Sequence, residues 1–207
     1  DESNTRHSQY AYGSQPLNYN VPEGSYSTRP NLPSARIKEF KQMVMALHKA
    51  GIRVILEMAY SHVSDTQSSN FEKTAPGYFF RMNGKKFADG SGYGNEVATE
   101  RPMARKFIVE SVRYWINEYH IDGFYFDMMG LMDLQTMRAI RAVADETDSS
   151  VLIYGDGTSP NKPALSTDSL AIAANIFRAQ GVGSYAHEFR NALLGPHNET
   201  HKIGFLG

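Results

Sequence analysis

The stretch GFYFD (residues 123–127) is a short apolar and aromatic run that begins at a glycine and ends on a carboxylate. Its length and composition predict a buried β-strand. An isolated carboxylate is costly to bury in apolar surroundings. Asp127 is therefore expected either to face solvent or to be placed for chemistry.

Four short apolar runs are predicted to form strands, at about 53–59, 122–127, 151–155 and 182–186. Amphipathic stretches lie between them, with apolar side chains at the 3.6-residue spacing of a helix. This alternation of strands and helices predicts parallel βαβ units, and therefore a parallel α/β sheet or barrel.

The predicted helices begin at a cap formed by Ser34, after Pro102, and at Leu134, where the helix covers 134–146. A further helical stretch is expected over 159–178. The first of these helices precedes the first strand, and the others lie between strands.

Two long segments are predicted to be loops. Residues 1–34 are rich in Pro, Tyr and Asn, which favours an ordered loop region on the substrate side. Residues 61–100 contain the glycine-rich stretch DGSGYGNE (89–96), which lacks the Lys-Ser/Thr ending of a phosphate-binding loop.

The composition excludes several classes of protein. The 207 residues are 41% hydrophobic, which suits one α/β domain with a real core. Lys and Arg number 21 against 22 Asp and Glu, so no basic footprint for nucleic acid is visible. No apolar stretch approaches the ~18 residues of a membrane span, so no membrane partner is expected. The absence of cysteine excludes disulfides and thiolate chemistry.

The first residue is Asp1 rather than Met. We therefore expect a processed chain, a truncated one, or one piece of a larger protein.

Polar or ionisable side chains follow all four predicted strands. Functional groups of parallel sheets and barrels cluster where strands end and the following loops begin, so these side chains are expected to share one site. They are Glu57, Ser61 and His62; Tyr125 and Asp127; Asp156; and His187 with Glu188.

Five longer motifs carry a family resemblance. They are PLNYNVPEGSYST (16–28), RIKEFKQMVMALHKAGIRVI (36–55), DTQSSNFEKTAPGYFFR (65–81), GNEVATERPMARKFIVESVRYWINEYHIDGF (94–124) and FRNALLG (189–195). These motifs resemble those of pullulanases of the α-amylase superfamily, which are starch-debranching hydrolases that cleave α-1,6 links. The resemblance implies a (β/α)8 TIM barrel, of which residues 1–207 would form an incomplete catalytic segment with about four βα units, the third to sixth strands.

By this resemblance the chemistry is retaining glycoside hydrolysis, in which one carboxylate attacks the sugar and a second acts as acid and then base. Asp127 matches the nucleophile, Asp156 falls where the family has a Glu acid/base, and His62 matches a histidine that contacts the sugar in the −1 subsite. No cofactor is implied. The other candidate substrate-binding residues are Tyr125, Glu57, Ser61, His187 and Tyr12.

The departures from the family pattern fall mostly on the site. Tyr125 stands where the family has an arginine that keeps the neighbouring carboxylate ionised. Asp156 is one methylene shorter than the family's Glu, and Thr158 replaces a tryptophan. A positioned acid/base supplies ~10²–10⁴ in rate. Hydrolysis of pullulan is therefore expected to be weak or lost.

Two alternative functions stay open beside a weak debranching enzyme. One is a barrel whose pocket was engineered or repurposed as a new active site, and the other is a non-catalytic remnant that binds α-glucan. Glu57 would serve the first as a base with a raised pKa, or would instead pair with a neighbouring His or Arg. Asp156 before Gly157 also suits a turn.

Two further chemistries are not favoured. Ser61 beside His62 invites a hydrolase-triad interpretation, but adjacent strand residues point to opposite faces, so no direct contact between them is expected. Histidines and carboxylates in these positions lack the HExxH-like spacing of a metal site, so no metal is expected.

The expected ligand is an α-glucan or another small molecule. Four strands cannot close a barrel, and an open sheet edge invites pairing. We therefore expect the chain to need a complementary chain, a second copy or a larger parent protein.

Overall fold

The computed structural model describes residues 15–196 and 202–206. The strands in this part of the chain are β1 (Ile55–Met58), β2 (Met82–Asn83), β3 (Lys86–Phe87), β4 (Gly123–Phe126), β5 (Leu152–Gly155) and β6 (Gly183–Ser184). The α-helices are α1 (Pro33–Lys49), α2 (Asn70–Thr74), α3 (Pro102–Tyr119), α4 (Leu134–Thr147) and α5 (His187–Leu194). Short 3-10 turns cover Gly24–Tyr26, Met129–Leu131, Thr167–Ser169 and Ile176–Arg178.

Four strands form one parallel sheet in the order β1-β4-β5-β6. Each corresponds to one of the four predicted strands, and helices α3 and α4 connect successive strands as expected for βαβ units. The fold is α/β and corresponds to part of a (β/α)8 barrel, which confirms the predicted fold class. The small antiparallel pair β2–β3 lies in the loop between β1 and α3.

The outer face of the sheet holds the main core. Phe124 and Phe126 of β4 point to this face and are completely buried. Trp115 of α3 and Ile140 of α4 belong to the same buried cluster. Because successive strand residues alternate between faces, the side chains between these phenylalanines point to the other, inner face.

Helix boundaries follow from their caps. Helix α3 begins with Pro102 at a position that needs no amide hydrogen. It ends at Tyr119 and is capped by His120, whose backbone is left-handed (φ 56°). At the start of α4 the carboxylate of Asp133 accepts a hydrogen bond from the Thr136 amide. Because β4 and β5 pair in parallel, with Phe126 opposite Gly155, their carboxyl ends lie at one rim of the sheet.

Two local predictions are wrong. Helix α1 begins at Pro33, and its cap residue is Leu32 rather than Ser34. The stretch 159–178 contains two 3-10 turns instead of an α-helix. Pro160 and Pro163 lack amide hydrogens, and the Ala164 amide donates to the distant Glu96 side chain. The backbone hydrogen bonds of an α-helix therefore cannot form around these residues.

The predicted loop over 61–100 contains the short helix α2 and the hairpin β2–β3. Of residues 1–34, the structure describes those from 15 onward, and before α1 they form one regular element, the 3-10 turn Gly24–Tyr26. Across 15–196 and 202–206, the helices are too short or too polar to cross a membrane.

Candidate active site at the carboxyl ends of the strands

A row of side chains crosses the inner face of the sheet. Glu57, Tyr125 and Tyr154 are register partners on β1, β4 and β5, so their side chains lie on the same face. The ring of Tyr125 lies 5.5 Å from that of Tyr154 and 5.5 Å from that of Tyr185, the latter nearly parallel at 28°. Three tyrosine rings thus form one cluster in this row, which we call the tyrosine cluster.

Asp127 directly follows β4 and is half-buried at the rim. Its backbone N–H donates to the Met58 carbonyl oxygen at 3.0 Å, which extends the pairing of β4 with β1. Burial and the nearby charge of Asp156 raise the pKa of the Asp127 carboxyl, while His62 acts in the opposite direction. The site therefore disfavours the ionised form of the predicted nucleophile.

Asp156 directly follows β5, and both oxygens of its carboxylate accept hydrogen bonds. The Met129 amide donates to Oδ1 at 2.9 Å, and the Thr158 hydroxyl donates to Oδ2 at 3.1 Å. These bonds connect the loops after β4 and β5 and match the turn chemistry expected before Gly157. The acid/base role of Asp156 stays a prediction.

Glu57 projects from the middle of β1 and is exposed on the inner face. Partial burial and the charge of Asp127 raise the pKa of its carboxyl. Within the described residues, no Lys or Arg forms an ion pair within 4.0 Å with Glu57, Asp127 or Asp156. Burial raises the pKa of the Tyr125 phenol, and the nearby carboxylates of Asp156, Asp127 and Glu57 raise it further.

Ser61 and His62 touch each other, so the prediction that they do not is wrong. The Ser61 hydroxyl lies 3.0 Å from Nδ1 of His62. Strand β1 ends at Met58, and the chain turns at these residues, so strand alternation does not apply to them. Ser61 is fully buried, which keeps its hydroxyl away from a substrate.

His62 is also fully buried, and its ring is packed in a defined orientation. The ring of Tyr93 stacks on it at a centroid distance of 4.6 Å and an interplanar angle of 7°. The hydroxyl of Tyr19 donates to the His62 backbone carbonyl. His62 thus lies beside Asp127, as the sequence suggested, but behind Tyr93.

The remaining predicted residues are less closely connected to the rim. His187 is exposed and begins helix α5, where the sequence suggested the end of a strand, and its ring meets the edge of Tyr185 at 6.0 Å. Tyr12 lies outside the described residues. The part of the chain seen in the structure contains no cluster of three His, Cys, Asp or Glu suited to a metal ion.

Sequence reasoning missed the role of the glycine-rich stretch 89–96 in building this rim. Tyr93 in this stretch covers His62, and Asn95 accepts from the Val63 amide at 2.9 Å and donates to the Val63 carbonyl at 2.7 Å. The available signal was a tyrosine within a glycine-rich run, followed two residues later by Asn95.

Comparisons with known proteins agree with this geometry. No protein-family model matches the chain. The curated pullulanase of Bacillus subtilis (strain 168) is 41% identical over 197 residues, which are 95% of this chain and 27% of that protein. The crystal structure of pullulanase from Paenibacillus barengoltzii, in complex with maltohexaose and α-cyclodextrin, superimposes with a TM-score of 0.92 at 42% identity.

The resemblance to pullulanases is confirmed. The match covers 99% of this chain and 32% of the Paenibacillus pullulanase chain. The chloroplastic pullulanase 1 of Arabidopsis thaliana is 33% identical over 213 residues, covering 95% of this chain and 22% of that protein. The chain thus spans less than a third of the length of these pullulanases.

Proposed function

We propose that the chain supplies part of a pullulanase-like α-glucan site in which Asp127 keeps the place of the nucleophile. Its hydrolysis of α-1,6-glucosidic bonds is weak or lost. The site binds the glucan at the rim formed by the loops after β1, β4 and β5.

The tyrosine cluster beside Asp127 carries this proposal. A retaining nucleophile must be ionised to attack the sugar. The family resemblance implies an arginine two residues before it, whereas Tyr125 supplies no positive charge and packs on Tyr185 instead. Burial and Asp156 then raise the pKa of Asp127, so its ionised form is less available than an arginine would make it.

The state of Asp156 supports a low rate as well. An acid/base must exchange a proton with the glycosidic oxygen. Both oxygens of Asp156 accept hydrogen bonds from the loops around it, and its side chain is one methylene shorter than that of Glu. Loss of a positioned acid/base costs about 10²- to 10⁴-fold in rate.

The ligand class is supported by the similar structures. The pullulanase of Paenibacillus barengoltzii was crystallised with maltohexaose and α-cyclodextrin, and pullulanase type I of Bacillus subtilis with maltose. The rim of this chain carries aromatic rings and carboxylates, which are suited to sugar rings and their hydroxyl groups.

Hydrolysis and binding are tested side by side. Release of reducing ends from pullulan is measured for the wild type and for Asp127→Asn, and maltohexaose binding is measured by calorimetry. We expect binding by both proteins and little or no hydrolysis by either. Pullulan turnover at the level of an active pullulanase would contradict the loss of hydrolysis, and absence of maltohexaose binding would contradict the glucan site.

A second candidate function is a repurposed site that abstracts protons. Glu57 and Asp127 share the inner face, where burial and the charge of Asp127 raise the pKa of Glu57, and burial and the charge of Asp156 raise the pKa of Asp127. Carboxyls with raised pKa values act as bases near neutral pH. Activity on a proton-abstraction probe or an activated aryl ester, lost in both Asp127→Asn and Glu57→Gln, would support this function over the first.

Closure of the barrel is part of the proposal. Leu152 and Tyr185 on the inner face are 49% and 48% exposed in the sheet as described. We propose that a complementary chain, a second copy or a larger parent protein covers this face. Light scattering at micromolar concentration tests the isolated chain, and a compact, stable monomer would count against the need for a partner.

A further inference from the structure

The glycine-rich loop (residues 89–96) forms a corner of the rim next to Asp127. His62, which lies near enough to Asp127 to lower the pKa of that carboxyl, is fully buried. The stacked ring of Tyr93 lies over it. A ligand that approaches this corner therefore meets Tyr93 before it meets His62.

Buried polar contacts hold this loop in place. Glu96 is fully buried, and its carboxylate accepts hydrogen bonds from the Gly90 amide at 2.9 Å and the Ala164 amide at 2.8 Å. The guanidinium of Arg81, itself 4% exposed, lies 3.6 Å from the same carboxylate. A buried carboxylate with partners on both oxygens fixes the loop, because releasing any of them would leave a buried polar group unsatisfied.

The loop is also joined to the segment that follows Asp156. Asn161 donates its backbone N–H to the Gly90 carbonyl and its side-chain amide to the Asp89 carbonyl, each at 3.0 Å. With Ala164 on Glu96, this segment holds the loop at three points. Tyr93 is thus positioned by the same loop that carries Asp156.

We propose that Tyr93 is a sugar-stacking residue of this site, with His62 as the ring that supports it from behind. The inference rests on the proposed α-glucan function. The ring of Tyr93 is partly exposed and has one face on His62, and in the described part of the chain no other ring stacks on it. A hexose packs its C–H face on such a ring, while the phenol hydroxyl is available to bind a sugar hydroxyl.

The test measures maltohexaose binding by calorimetry for the whole chain and three variants. Tyr93→Ala removes the ring, and we expect about tenfold weaker binding, close to the worth of one aromatic contact. Tyr93→Phe keeps the ring and is expected to bind within about threefold of the wild type, since one exposed hydrogen bond is worth little. Phe177→Ala removes a 76% exposed ring in the turn that leads to the amino end of β6, and it should bind like the wild type.

The outcomes separate this inference from the proposed function. If the wild type binds no maltohexaose, the proposed function fails and the role of Tyr93 fails with it. If the wild type binds and Tyr93→Ala binds equally well or better, the proposed function stands and the role of Tyr93 is overturned. If Tyr93→Ala does not fold, Tyr93→Leu replaces it, and equal binding by the Leu and Phe variants overturns the inference.

Discussion

The two faces of the four-stranded sheet differ in how far their side chains are covered. On the outer face, Phe124 and Phe126 are completely buried and Ile153 is 3% exposed. On the inner face, Leu152 and Tyr185 are about half exposed. Ile153 and Leu152 are neighbours on β5 and lie on opposite faces, because side chains alternate along a strand.

This difference separates what holds the sheet together from what the sheet presents to a ligand. The outer face packs against α3 and α4 and is complete in the described residues. The inner face combines tyrosine rings with carboxylates, and the charge of a neighbouring carboxylate raises the pKa of both Glu57 and Asp127. We infer that stability depends on one face and recognition on the other.

The largest expected effect is the loss of a core ring from the outer face. Phe124→Ala removes a completely buried ring and should lower the free energy of unfolding by about 3–5 kcal/mol. Leu152→Ala, on the inner face of the neighbouring strand, should cost less than about 1 kcal/mol, since its side chain is half exposed. Denaturant unfolding followed by circular dichroism measures both.

If the two substitutions lowered the free energy of unfolding by similar amounts, the two faces would not differ in their contribution to stability. That result would mean that the inner face of the isolated chain is already covered, for example by a second copy. Repeating the Leu152→Ala measurement at several protein concentrations would reveal such a copy, because the stability of an oligomer depends on concentration.

A smaller effect is expected at the rim, where buried polar contacts replace apolar packing. Asn95→Ala would leave the amide and carbonyl of Val63 without their partners, at a cost of about 1–3 kcal/mol. Asn70→Ala, at an exposed position in α2, should change stability by less than about 0.5 kcal/mol. Equal effects would show that the rim contacts contribute nothing specific to folding.

The strands could be predicted from the sequence because their signal is local. The apolar runs around GFYFD and VLIYG are short and bounded by polar residues, and the structure forms β4 and β5 within them. The helix expected over 159–178 was not found, because the amides of Asn161 and Ala164 bond to the glycine-rich loop and those of Ala171 and Ala173 bond to Met132 and Gly157. The local pattern of residue types does not show which distant groups a segment will bond to.

The site was predictable only in part, for the same reason. The positions of Asp127 and Asp156 at one rim follow from parallel strands ending together, and Glu57 lies on the same face within β1. The stacking of Tyr93 on His62 joins residues 31 positions apart, and it depends on a loop fixed by the buried carboxylate of Glu96. The contact of Ser61 with His62 was missed because the chain turns after β1, which alternation along a strand does not describe.

The pH dependence of stability gives a third test of the inner face. Because the folded pKa of Asp127 is raised, both states are protonated below about pH 4, and ionisation favours unfolding as the pH rises. Asp127→Asn should therefore stabilise the protein at pH 7 and have little effect at pH 4. Asp148→Asn is the control of opposite sign, because hydrogen bonds from Ser150 lower the pKa of Asp148 in the folded state.

Unfolding by urea at pH 4 and at pH 7 measures both variants. A loss of stability in Asp127→Asn at pH 7 would show that its carboxylate makes a favourable contact in the folded protein. Burial and Asp156 would then not disfavour the charged nucleophile, and the argument for weak hydrolysis would lose its electrostatic part.

The smallest effect is expected for Glu57→Gln, measured in the same way. The pKa of Glu57 is raised by partial burial and by the charge of Asp127, so this variant should also gain stability at pH 7. The gain should be smaller than for Asp127→Asn, because Glu57 is exposed and its charge is screened by solvent. In an Asp127→Asn background the gain should shrink further, since one of its two causes is gone. Strict additivity of the two substitutions would mean that the carboxyls do not interact, and would separate Glu57 from the site around Asp127.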